Sequence, residues 1–126
     1  MASAVFVAGA ACNAPTAADA PDVAGAWDGR YVEALVPARA LDARLQLTQN
    51  GVNVSGTLLL ANGRSADASG PIVGRHLALA LSYADDCAGT ARWSLDLGAD
   101  GSTFTGTAES FDCRGDTRAD VTLVRR

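Results

Sequence analysis

The sequence predicts an all-β domain over residues 24–126, an eight-stranded antiparallel up-and-down barrel, with a β-sandwich as the alternative. Three observations predict it. The first is a hairpin that occurs twice. Leu45 to Thr57 and Leu95 to Thr107 each read as an alternating strand, an Asn-Gly or Asp-Gly turn, and a second alternating strand ending in Gly-Thr. Asn50-Gly51 and Asp100-Gly101 supply the positive φ that a two-residue hairpin turn requires. The second is that turn residues recur about every ten positions, the spacing of sandwiches and barrels. The third is that no window carries an apolar stripe of helical period.

The strands are expected at 26–36, 41–49, 52–61, 66–73, 75–84, 90–97, 103–111 and 117–125. The first begins after Gly25 and stops before Pro37. The second alternates Leu41, Ala43, Leu45 and Leu47 against Asp42, Arg44, Gln46 and Thr48, as a sheet with one solvated face requires. The third follows the Asn50-Gly51 turn and ends at Asn62-Gly63. The fourth contains Gly70-Pro71, and a proline lacks the N–H a ladder needs, so this segment reads as an edge or bulge. The fifth places Leu77, Leu79, Leu81 and Tyr83 on one face, and the sixth does the same with Ala91, Trp93, Leu95 and Leu97. The seventh and eighth are separated by Arg114-Gly115. Closing such a meander removes its exposed edges.

Composition limits the function. The net charge of −4 argues against nucleic acid, which needs a basic field. All ten basic residues other than His76 are arginine, which fits the codon usage of a GC-rich bacterial genome. Residues 1–12 are small and apolar and resemble the end of a bacterial lipoprotein signal, with Cys12 as the lipid-bearing residue. Residues 13–23 are polar and proline-containing and read as a flexible tether to the barrel domain of residues 24–126. The expected location is the cell envelope, periplasmic or surface-anchored, or the secreted fraction. Cys87 and Cys113 then remain as a pair in polar loops, and an even pair in an exported domain is expected to form a disulfide. Closing a loop of roughly 25 residues is worth roughly 3 kcal/mol.

Gly25-Ala26-Trp27 opens the first strand and Arg125-Arg126 closes the last. This pattern resembles the lipocalin and avidin group of small barrels. The resemblance implies that Trp27 packs across the closed end beneath Arg125 or Arg126. Biotin binding does not carry over: Asp28 and Gly29 stand where avidins place a Tyr-Asn pair, and Trp27 and Trp93 are the only tryptophans.

Candidate sites fall in two places. Inside, Glu33 shares strand parity with Trp27 and Tyr31. It is the best interior polar group, expected near the mouth with Tyr83 and Trp93, or held in an ion pair with an arginine. At the loop end, Arg39, Arg64, Asp85, Asp86, Arg114 and Asp116 form a charged rim, opposite the end where the tether leaves. Asp85, Asp86, Asp112 and Asp116 lack the spacing of a calcium loop, and two cysteines with a lone His76 fall short of a zinc set, so neither metal nor cofactor is expected. No catalytic residues are assigned: His76 lies on the face opposite Leu77, and no Ser-His-Asp set is foreseen. The chain thus reads as an envelope binding protein with an unknown protein or small apolar ligand as partner. The alternative is a small barrel enzyme, of cyclase or isomerase type, using an interior carboxylate.

Overall fold

The computed structural model describes residues 20–35 and 37–126; Cys12 and most of the stretch read as a tether lie outside them. Eight strands follow in chain order: β1 (Gly25–Glu33), β2 (Arg39–Asn50), β3 (Asn53–Leu60), β4 (Ser65–Val73), β5 (His76–Tyr83), β6 (Gly89–Leu97), β7 (Thr103–Asp112) and β8 (Gly115–Arg125). Each pairs antiparallel with the next, and β1 pairs with β8, so the sheet closes as an up-and-down barrel and not as a sandwich. No helix occurs among the described residues.

The inward faces obey period two on every strand. From β5 to β6 the register sets Leu77 opposite Leu95, Leu79 opposite Trp93 and Leu81 opposite Ala91. Large side chains face small ones. Trp93 lies opposite Ala108, Tyr83 opposite Ala66, and Leu81 opposite Ala68. That alternation is how an eight-stranded barrel, whose interior is about one layer of side chains wide, fills without strain. Two ring pairs occupy the axis: Trp27 with Phe104 at 4.5 Å between centroids, and Tyr31 stacked on Trp93 at 5.7 Å. Trp27, Trp93, Phe104, Leu45, Leu58, Leu77, Leu95 and Leu123 are all buried.

One end is sealed by the approach to β1. Val23 is fully buried, and the Trp27 indole N–H donates to its carbonyl at 3.0 Å. The Gln49 amide accepts from the Val23 N–H and donates to the carbonyls of Pro21 and Gly51. Pro21 to Val23 therefore belong to the fold. The Arg125 guanidinium lies 4.5 Å from the centre of the Trp27 ring and donates to the carbonyls of Ala24, Asp22 and Gly101. The contact inferred from the Gly-x-Trp resemblance is thus present, a cation–π pair worth about 0.5–2 kcal/mol.

Two expectations need correction. β1 ends at Glu33, three residues before the reading that ran to Val36. β4 is neither an edge nor a bulge but a full strand paired on both sides. Its β5 ladder lapses at Gly70 and Pro71, between the Ser69–Ala80 and Ile72–Leu77 pairs, so the proline's missing N–H costs nothing there. On the β3 side Pro71 keeps its place opposite Asn53.

Candidate functional site

The loop end is built around Arg64. Asn62 accepts the Arg64 backbone N–H at 3.0 Å, a side-chain turn that aims the arginine back over the mouth. Its guanidinium then reaches the β5–β6 loop and the β7–β8 turn. Nε donates to Asp85 at 2.8 Å, Nη1 to Asp112 at 2.7 Å, and Nη2 to the Cys87 carbonyl at 2.6 Å. The same group lies 4.1 Å from the centre of the Tyr83 ring. Five donors in a planar fork suit this task, and a lysine would not. Asp112 is shielded from solvent and also accepts the Arg114 backbone N–H and its guanidinium. Asp85 repeats the turn, accepting the Cys87 N–H at 3.0 Å. Cys87 and Cys113 are bonded, which ties the β5–β6 loop to the β7–β8 turn.

Beneath the rim lie the interior polar groups. Glu33 is buried and receives Nε and Nη2 of the half-exposed Arg39, at 2.6 and 2.5 Å. The Tyr31 hydroxyl meets Ser110 Oγ at 3.3 Å. Trp93 sits deeper, and its indole N–H has no partner among the described residues. The structure thus brings Arg64, Asp85, Arg114 and Tyr83 together and seats Arg39 on Glu33 as a separate pair. Asp86 and Asp116 are exposed, outside the cluster, and make no ion pair among the described residues. Sequence reasoning missed Arg64 as the hub and Ser110 as the partner of Tyr31. The only local signal was the recurrence of Asn or Asp two residues before a loop position, at Asn62, Asp85 and Asp112.

The charges reinforce one another. The Arg64 hydrogen bond holds the Asp85 carboxyl below its usual range, and that bond in turn raises the arginine. Burial pushes the Asp112 carboxyl up, but the hydrogen bonds from Arg64 and Arg114 outweigh it and leave the group low. Asp112 is also the residue that lies with Cys87 and Cys113 close enough to suggest metal ligands. Their sulfurs are joined, and its carboxylate is held by two arginines.

Burial pushes Tyr83 up to about 12 and raises Tyr31 as well. These are the chain's two tyrosines. A folded-state pKa above the unfolded value contributes stability that is complete below about pH 10 and is lost as pH rises through the folded value. In an ultraviolet titration the folded protein is therefore expected to show no tyrosinate step near pH 10. Ionisation of Tyr83 should come close to pH 12, together with unfolding, and that of Tyr31 above its ordinary range. A full step near pH 10 in protein that remains folded would show that the mouth is open to water.

Three hollows are lined by described residues. The largest, about 670 Å³, is lined by Asp28, Asp42, Arg44, Leu59 and their neighbours; the others, about 510 and 230 Å³, flank Asn50 to Pro71 and Glu109 to Arg118. One further expectation is corrected here: His76 does meet a serine and an aspartate, Ser94 and Asp96, on the outer wall. Fold and site together define a small closed barrel lined by buried apolar side chains, with a braced, charged rim. No known family profile and no curated protein matches the chain.

Proposed function

We propose that this chain is a binding domain of the bacterial cell envelope, which presents its disulfide-braced rim to a protein partner. The observation that carries the reading is the packing of the interior. Two ring pairs and the leucines occupy the space where a ligand would sit, and Glu33, the one buried carboxylate residue among the described residues, is paired with Arg39. What remains for recognition is surface, and the rim is the surface most firmly held. Rigid loops lose less entropy on binding than free ones. The lipocalin-like resemblance fits the closed end at Trp27 and Arg125 and implies no calyx in so full a barrel. A lipid anchor at Cys12 would leave from that closed end, so the rim would face away from the membrane.

Photo-crosslinking in the producing cell tests this. A crosslinker at Asp86 or Asp116 is expected to capture one defined protein, and a crosslinker at Asn50 or Asp100, at the opposite end, is not. Removing the disulfide with Cys87→Ser and Cys113→Ser is expected to cost roughly 3 kcal/mol of stability. It should also weaken capture at the rim more than changes at the Asn50-Gly51 turn do. Equal capture at both ends would show that the rim is only scaffold.

A further inference from the structure

On the outer wall, away from the rim, β5 and β6 assemble a constellation the rim reading does not use. His76 and Asp96 are direct cross-strand partners, and Ser94 precedes Asp96 by two residues, so all three share the outward face. Side chains opposite and diagonal in an antiparallel pair are within reach of one another. His76 Nδ1 lies 2.9 Å from Asp96 Oδ1, and Ser94 Oγ lies 3.2 Å from His76 Nε2. An ionised aspartate only accepts, so this pairing assigns the ring proton to Nδ1 and leaves Nε2 to accept from the serine hydroxyl. Nucleophile, base and orienting carboxylate are recognised by this geometry, whatever their order in the chain.

We infer that Ser94, His76 and Asp96 form a nucleophilic triad that takes acyl groups from small, unhindered esters and passes them to water. Ser94 Oγ attacks the ester carbonyl and gives its proton to His76 Nε2. The Oγ–C bond forms, the bond from carbon to the leaving oxygen breaks, and Nε2 delivers the proton to that oxygen. Water then adds to the acyl carbon and gives a proton to Nε2; the bond from that carbon to Ser94 Oγ breaks, Nε2 returns the proton to Oγ, and the acid departs. Asp96 holds the ring and its tautomer throughout and is a positioning residue.

Access and rate both follow from the wall. Ser94 is exposed and the His76 side chain is 48% exposed, so a small ester reaches the site without a pocket. Around Ser94 the β6 backbone is paired with β5 and β7 on both sides, so it builds no oxyanion hole there. Arg92 is the next outward side chain along β6 and has no ion pair among the described residues, so it is the cation available to the developing charge. The expected acceleration is therefore that of a positioned base alone, about 10²-fold.

The test uses the full chain, a nitrophenyl acetate and a fluorophosphonate probe, with peptide mapping of the adduct. Ser94 is expected to be modified about 10²-fold faster than Ser69 or Ser82. Those serines are exposed on the same wall with no other histidine in the chain to serve them. His76→Gln should bring Ser94 down to the rate of Ser82, and Asp96→Asn should lower it strongly while Asp96→Glu restores part of it. Ser94→Ala should abolish ester turnover. Modification of Ser94 no faster than Ser82 in the unaltered protein overturns the inference. So does ester hydrolysis that survives Ser94→Ala, since that would be the work of a free imidazole.

Discussion

Gly106→Ala is expected to destabilise the barrel by about 3 kcal/mol, the upper end of what overpacking costs. The readout is a fall in the urea midpoint with the slope unchanged. Gly106 occupies an inward position on β7 between Phe104 and Ala108, opposite Leu95 of β6. A Cβ there would stand 1.9 Å from the Ser94 carbonyl oxygen and 2.9 Å from Leu95 Cα. Both obstacles are backbone, so no rotamer change relieves them; the strands must part. Gly56 meets Gln46 in the same way, Gly29 meets Thr122, and Gly70 meets Ala78. Glycine kinks of this kind let a sheet curl tightly enough to close with so few strands. The control is Gly74→Asn. Gly74 has φ +60° with nothing near its absent Cβ, and asparagine tolerates that conformation, so a loss under about 1 kcal/mol is expected. Equal losses at Gly74 and Gly106 would show that close strand approach is not what reserves Gly106 for glycine.

The repeated hairpin takes on meaning in this light. Its two copies end in Gly56-Thr57 and Gly106-Thr107, and those glycines are two of the four kinks. The turn and the alternation were legible because both are local: an Asn-Gly pair sets its own dihedrals, and a strand's faces alternate whatever lies beside it. The disulfide was legible from the cysteine count. What escaped depends on register and distance. Pro71 looked disruptive because the lapse in its ladder is set by β5, not by β4. Arg64 finds its partners 21 and 48 residues away, beyond any local pattern. His76 faces outward, away from the core pattern, yet the β5–β6 register puts Asp96 opposite it on that same face. A shift of one residue would have turned Asp96 inward and dissolved the cluster. The filling of the barrel was half legible. Ala66, Ala91, Ala108 and Ala119 all carried inward parity, and a row of small inward residues is where large rings from other strands must go.

Arg64→Ala is the second change with a large expected effect, a loss of about 3 kcal/mol at neutral pH. Removing one partner of a buried ion pair costs about 3–5 kcal/mol, because the remaining charge is left without compensation. Here the charge left behind is Asp112, whose side chain is shielded from solvent, while Arg64 itself is only 12% exposed. Arg114 still reaches Asp112 at 3.2 Å, which places the expected cost at the low end. The sign with pH follows from the depressed carboxyl. Its contribution is complete above the unfolded value, near 3.8, and is lost as pH falls through the lower folded value. In the variant, burial of Asp112 persists while its largest compensating hydrogen bond is gone, so the carboxyl accepts a proton more readily. The gap in stability between the two proteins should therefore narrow on going from about pH 7 to about pH 3, as read from urea midpoints. Combining Arg64→Ala with Asp112→Asn should cost less than the sum of the single changes, since the second removes the charge the first exposes. A gap that stays constant with pH, with additive single changes, would assign the arginine a different role. It would then stabilise by packing its planar head over the Tyr83 ring, and the rim would owe its rigidity to the disulfide alone.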